Sequence, residues 1–135
     1  MTLILAFIAS QMGFLWKGAR FWIAGSEITT SNGGDAYLLV ESDTLRLRFV
    51  RDRGQLLLDF QPREHGELRE WFSVDLIRSL FHGEPETLGV LDESYASIVR
   101  DHLDEIEASF AQARWTTTQS ELKRLKAKCA KVMFG

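Results

Sequence analysis

The stretch LRLRFVRDRGQLLLDF, residues 45–60, decides the fold because apolar and polar residues alternate along it on both sides of a turn. Successive side chains of a strand point to opposite faces, so this alternation predicts two strands that share one buried face. We place the turn at residues 51–54. The predicted facing pairs are Leu45 with Phe60, Leu47 with Leu58, and Phe49 with Leu56. The sequence therefore predicts a β-hairpin that covers a hydrophobic core.

The other face of this hairpin is charged. The same register places Arg46 opposite Asp59, and a preceding strand at residues 36–42 brings Glu41 beside Arg46. Opposite charges that face each other on neighbouring strands stabilise a sheet. We therefore predict a structural charge ladder formed by Glu41, Arg46 and Asp59.

Two further strands extend the hairpin into a larger sheet. Residues 3–14 favour a short apolar helix, and residues 20–30 favour a first strand. The sequence SNGGD at residues 31–35 is a strong turn signal, since Asn and Gly tolerate the positive φ of tight hairpins. The strand at residues 36–42 follows it. The prediction is an N-terminal helix followed by a four-stranded antiparallel meander.

Beyond the sheet, the period of the apolar residues changes to about 3.6, which predicts helices. One helix covers residues 70–81, and a second begins at Asp92. Thr118 and Glu121 form a capping box, which predicts the start of a third. Because each helix has one apolar side, we expect all three to pack on the sheet in an α+β fold.

Length and composition favour one domain, residues 1–135, because 45% of the 135 residues are hydrophobic and can supply a core. The single cysteine, Cys129, fits a reducing compartment. The apolar N-terminal run lacks the basic segment and cleavage site of a signal peptide, and it is shorter than a bilayer span of about 20 residues. We therefore expect a cytoplasmic protein with no membrane among its partners.

No residue pattern predicts a metal, a cofactor or a catalytic centre. The three histidines, His65, His82 and His102, are far from one another in the sequence, whereas metal ligands recur at short spacings. The turn at residues 31–35 lacks the lysine of a phosphate-binding loop and precedes a strand. We expect no bound metal, no cofactor and no catalytic residue.

Charge is unevenly distributed, although the net charge is only −3. Residues 92–114 contain six acidic and two basic residues, whereas residues 115–135 contain five basic residues and one acidic residue. An acidic surface can steer a basic protein partner, although scattered carboxylates would only favour solubility. From this charge distribution, the candidate partner-binding residues are Glu67, Glu70, Asp101, Asp104 and Glu105.

Three segments resemble bacterial immunity proteins, which are encoded beside polymorphic or contact-dependent toxins. They are LRLRFVRDRGQ at residues 45–55, the apolar strand that ends at Asp59-Phe60, and Trp71-Phe72 at the predicted start of a helix. The resemblance implies a non-enzymatic cytoplasmic inhibitor that binds a cognate toxin domain and blocks its active site or the approach of its substrate. Many such toxins act on nucleic acids through basic clefts, so the implied partner is a basic protein domain.

Two other functions and one structural question stay open. A small nucleic-acid-processing enzyme could use Glu41 and Asp59, near Arg46 and Arg48. A nucleic-acid-binding regulator could use the basic helix at residues 123–131, although the overall acidity opposes a nucleic-acid partner. The sheet face opposite the core could be covered by the first helix, by a second copy of the chain in a homodimer, or by the partner. Its apolar residues are Tyr37, Leu39, Val50 and Leu57.

Overall fold

The computed structural model of this chain describes residues 1–28, 35–63, 70–82 and 91–134. The strands are β1 (Trp22–Ile28), β2 (Ala36–Glu41), β3 (Leu45–Asp52), β4 (Gln55–Pro62) and β5 (Phe72–Ser73). The helices are α1 (Thr2–Gln11), α2 (Val74–His82), α3 (Glu93–Phe110) and α4 (Gln112–Phe134), with a 3₁₀ segment (Gly13–Ala19) after α1. The strands form one antiparallel sheet in the order β1-β2-β3-β4-β5. The predicted α+β class is confirmed, although the sheet has five strands instead of four.

The hairpin is present, but its predicted register is wrong by two residues. Its loop contains only Arg53 and Gly54, whose φ angles are +53° and +82°, and Asp52 pairs with Gln55. Positive φ at both loop residues gives the turn a twist that matches the flanking strands, which favours a two-residue loop over the predicted longer one. The resulting pairs are Leu45 with Pro62, Leu47 with Phe60, and Phe49 with Leu58. A shift of two residues keeps every side chain on its predicted face.

The register shift changes the predicted charge ladder. Glu41 does face Arg46, with 3.4 Å between Glu41 Oε2 and Arg46 Nε. Arg46, however, faces Gln61 on β4 and donates a 2.8 Å hydrogen bond to its Oε1. Asp59 instead faces Arg48, whose Nη2 lies 2.8 Å from Asp59 Oδ2. The predicted contact between Arg46 and Asp59 is therefore wrong, and two separate cross-strand pairs replace the ladder.

The fifth strand occupies the position where the sequence predicted the start of a helix. Phe72 and Ser73 pair with Phe60 and Asp59, and α2 begins at Val74 instead of residue 70. The Phe72 side chain is buried on the core side of the sheet. A two-residue strand is too short to show a period of two, so the sequence gives no local signal for it.

The core lies between one face of the sheet, here called the inner face, and the helices. Its sheet residues include Leu38, Val40, Leu47, Phe49, Leu58, Phe60 and Phe72. Ile4 and Ile8 of α1 are buried in the same cluster, so the first helix covers the inner face. Phe110 of α3 lies 6.3 Å from Phe60 between ring centroids, and Trp115 of α4 lies 5.9 Å from Phe72.

Helix α3 begins where the sequence predicted and is joined to the sheet near its other end. The Asp92 carboxylate accepts a 3.1 Å hydrogen bond from the Tyr95 N–H, which is a standard N-terminal cap. Ser42 and Thr44 lie in the connection between β2 and β3, and their hydroxyls donate hydrogen bonds of 2.8 and 2.9 Å to Glu107 of α3. These contacts hold α3 across the inner face.

Helix α4 begins six residues earlier than the predicted capping box. Between α3 and α4 the helical conformation is interrupted only at Ala111, whose backbone is extended, and α4 starts at Gln112. Thr118 is buried inside this helix and is not its cap, so the predicted start is wrong. The early start has a tertiary cause, because the first turn of α4 places Trp115 against Phe110, with 5.1 Å between ring centroids.

No single helix within the described residues is long and apolar enough to cross a membrane. Helix α1 and the 3₁₀ segment would reach the required length and composition only together, and they are bent by 74° relative to each other. Both segments contribute side chains to the core, including Ile8 and Leu15.

Candidate functional site

The candidate site is the sheet face opposite the helices, here called the outer face. The observed pairing and alternation place on it, among others, Trp22, Glu27, Tyr37, Leu39, Glu41, Arg46, Arg48, Val50, Leu57, Asp59 and Gln61. The helices that the structure describes contribute their buried side chains to the core on the inner face. The outer face therefore carries no helix in the described part of the chain, which excludes α1 as its cover.

A tryptophan and two arginines occupy the centre of the outer face. The Arg48 guanidinium lies 4.4 Å from the centroid of the Trp71 ring, and that of Arg46 lies 5.7 Å from it. Positive groups over an indole ring are attracted to its negative face. Trp71 comes directly before β5, so the short strand determines where this ring lies. The result is an aromatic and cationic surface.

A second arginine and tryptophan pair lies at the edge formed by β1. Arg63 lies 5.2 Å from the centroid of the Trp22 ring, and its Nε donates a 3.1 Å hydrogen bond to Glu41 Oε1. Glu41 therefore contacts both Arg63 and Arg46, because its other oxygen faces Arg46. At this end of the outer face, which we call the arginine end, two arginines accompany one carboxylate.

The opposite end of the outer face contains an open groove with a volume of about 400 Å³. Side chains of Tyr37, Val50 and Leu57 line it, and these residues face one another across β2, β3 and β4. The charged residues around it are Glu27, Asp35, Asp59 and Arg48. The charged lining of the groove therefore consists of three carboxylates and one guanidinium.

Three of the five acidic residues predicted to bind a partner lie away from the outer face. Asp101, Asp104 and Glu105 are exposed on α3, in the helix layer that covers the inner face. Glu70 lies just before β5, with its Oε2 3.8 Å from Lys123 of α4. Glu67 is outside the described residues. A role for these five residues in binding stays a prediction.

Basic groups within the chain partly neutralise the acidic side of α3. Asp104 Oδ1 lies 2.8 Å from Arg20 Nη1, and Arg20 also contacts Glu107. Burial lowers the pKa of Arg20, but the hydrogen bond to Asp104 and the charges of both carboxylates outweigh it and raise that pKa. The exposed part of α3 is therefore less negative than its sequence implies.

The basic helix offers a separate positive surface. Lys123, Arg124, Lys126 and Lys128 are exposed on α4, whereas the side chain of Lys131 is outside the described residues. Arg124 forms an ion pair with Glu121 one turn earlier. The hydrogen bond from Arg124 lowers the pKa of Glu121, as expected for a paired carboxylate. This arrangement is typical of a solvated helix face.

The acids proposed for an enzymatic site belong to different cross-strand pairs. Glu41 contacts Arg46 and Arg63, and Asp59 contacts Arg48. Within the described residues, no group of three or more histidine, cysteine, aspartate or glutamate side chains is arranged to hold a metal ion. Both carboxylates are therefore paired with arginine side chains.

Only part of the outer face was predictable from the sequence. Alternation gave its apolar residues correctly, but it did not give Trp22, Trp71 or Arg63. Trp22 lies within the predicted first strand, but its face was not predicted because β1 contains an irregularity between Ile23 and Gly25, which resets the alternation. Trp71 was assigned to a helix, and Arg63 lies just beyond the end of β4.

The sequence matches no protein-family profile, and neither a curated protein nor a solved structure is detectably similar to it.

Proposed function

We propose that this chain is a non-enzymatic binding protein of the immunity type, which binds a toxin domain in the cytoplasm and blocks its active site or the approach of its substrate. The observation that carries the proposal is the outer face, where Trp22, Tyr37 and Trp71 accompany three arginines. Tryptophan, tyrosine and arginine dominate the residues that contribute most to protein–protein binding energy. A sheet face with this composition is suited to a protein partner.

The outer face is also organised before any partner arrives. Arg48 is held by Asp59 and by the Trp71 ring, and Arg63 is held by Glu41 and by the Trp22 ring. Fixing long side chains in advance reduces the entropy that binding would otherwise cost. A surface that is already formed in this way favours tight, stoichiometric association.

Two sequence features support the same proposal. The hairpin at residues 45–60, which resembles immunity proteins, supplies the centre of the outer face. The acidic side chains of α3 add a negative field that would accelerate encounter with a basic domain, even from outside the docking surface. We therefore assign contact to the outer face and long-range attraction to α3.

The first experiment is affinity purification of the tagged chain from its native host at low salt. We expect one co-purifying protein domain in stoichiometric amount, with binding that weakens as salt increases. Recovery of the chain alone at low salt would contradict the proposed function.

Two tryptophans with matched exposure then locate the docking surface. Trp22 on the outer face is 38% exposed, and Trp16 in the 3₁₀ segment is 39% exposed. We expect Trp22→Ala to weaken partner binding by roughly tenfold or more, the loss typical of an aromatic contact, and Trp16→Ala to leave it unchanged. The reverse result, or equal losses, would show that the partner does not dock on the outer face.

A further inference from the structure

We infer that the groove on the outer face receives a basic side chain, an arginine or a lysine, from the protein partner. This inference rests on the proposed function, because it names the chemistry that the partner presents at one position of that surface. The groove, with a volume of about 400 Å³, lies at the opposite end from Trp22 and Arg63. The occupant follows from its lining and from its charge.

The lining suits an apolar stem. Tyr37, Val50 and Leu57 lie side by side on three neighbouring strands. Arginine and lysine bury their methylene stems against apolar surface while the charged group stays near water. The Tyr37 ring also offers an aromatic face, which attracts a cation.

The surrounding charges require a positive group at the end of that stem. Arg48 and Asp59 are already joined by two hydrogen bonds from the guanidinium, at 2.8 and 3.3 Å. The charge that the groove presents to a partner therefore comes from Glu27. Glu27 is exposed and has no ion-pair partner among the residues that the structure describes. An acidic side chain would be repelled there, and a neutral one would leave the Glu27 charge uncompensated.

The charge of the outer face also fixes the orientation of the partner. The groove end presents the Glu27 carboxylate, whereas the arginine end places Arg46 and Arg63 around the single carboxylate of Glu41. A partner that rotated by half a turn on this surface would place its basic side chain against these arginines. Such like-charge contact selects against the reversed complex.

The test is an NMR titration of the full chain with acetyl-arginine amide, compared with acetyl-citrulline amide. Citrulline has nearly the same shape as arginine but no charge. We expect saturable shifts of the backbone signals of Tyr37, Val50 and Leu57 with the arginine probe and none with the citrulline probe. Equal shifts with both probes, or shifts centred on the acids of α3, would overturn the inference.

Variants separate the groove from the rest of the proposal. Glu27→Gln removes an exposed charge at the groove and should weaken arginine binding several-fold, whereas Glu93→Gln removes an exposed charge on α3 and should leave it unchanged. The same pair of variants is then measured with the co-purified partner. If Glu27→Gln binds that partner as tightly as the wild type, the groove inference fails and the proposed function stands. If no partner is recovered, the proposed function fails, whatever the arginine probe shows.

Discussion

Replacing Glu107 by glutamine tests how much the contact between α3 and the sheet depends on one negative charge. The Glu107 side chain is only 12% exposed. Its Oε2 accepts hydrogen bonds from Ser42 Oγ and Thr44 Oγ1, at 2.8 and 2.9 Å, and its other oxygen contacts Arg20. Glutamine has the same shape but no charge, so the substitution changes the electrostatics and leaves the packing intact.

The expected loss follows from these three contacts. A hydrogen bond to a charged group contributes about 1.5–3 kcal/mol, and one between neutral groups about 0.5–1.5 kcal/mol. Each of the two hydrogen bonds from the hydroxyls should therefore contribute about 1 kcal/mol less once its acceptor is neutral. Loss of the contact with Arg20 adds about 0.5 kcal/mol, because the arginine side chain is 43% exposed and solvent screens the pair. We expect Glu107→Gln to lower the free energy of unfolding by about 2–3 kcal/mol.

Asp104→Asn is the matched control, since Asp104 binds the same arginine. Its carboxylate lies 2.8 Å from Arg20 Nη1, but its side chain is 89% exposed. An exposed pair of this kind is worth about 0.5 kcal/mol or less, and salt reduces it further. Both variants are measured by urea unfolding, followed by tryptophan fluorescence and circular dichroism, with an unchanged m value as the criterion for comparison. Equal losses in the two variants would refute the reasoning that burial makes the Glu107 contact strong.

Three further substitutions test other parts of the fold. Burial raises the pKa of Asp92, but the hydrogen bonds from Ser94 and the Tyr95 N–H outweigh it and lower that pKa in the folded chain. Asp92→Ala should therefore cost about 1 kcal/mol at neutral pH, and urea unfolding at several pH values should show this difference vanish as the pH falls through the lowered pKa. Arg53→Asn should raise the free energy of unfolding by about 0.5–1 kcal/mol, because φ at this position is +53° and asparagine tolerates positive φ better than arginine. Gly54→Ala should lower the free energy of unfolding by about 1 kcal/mol, because φ there is +82°. A reversed order of the two variants in urea unfolding would contradict the assigned turn. Phe60→Ala should lower the free energy of unfolding by about 3–5 kcal/mol, because the Phe60 ring is fully buried against Phe110. A thermal unfolding midpoint close to that of the wild type would contradict this packing.

Features that depend on neighbouring residues were predictable from the sequence. The alternation at residues 45–60 gave the strands and the face of each side chain, and Asp92 gave the start of α3. Apolar spacing also gave the order of elements, from an N-terminal helix through the sheet to the helices. These features are local because strand alternation and helix capping act over only a few residues.

Features that depend on distant residues were not predictable in the same way. The hairpin register needed the choice between a two-residue and a four-residue loop, and alternation cannot distinguish registers that differ by two residues. Strand β5 exists because Phe72 pairs with Phe60, and α4 starts early because Trp115 packs against Phe110. In each case, a contact across the core determined the local structure.

The candidate site shows the same division. The sequence by itself determined that one face of the hairpin would be buried and the other polar, because a period of two leaves no alternative in a half-buried sheet. Only the tertiary structure decided that the first helix covers the inner face, that Trp71 and Trp22 stack with arginines, and that Glu27 and Asp35 share a groove. These groups come from separate elements, and the register and packing that bring them together arise from long-range contacts that local sequence patterns do not encode.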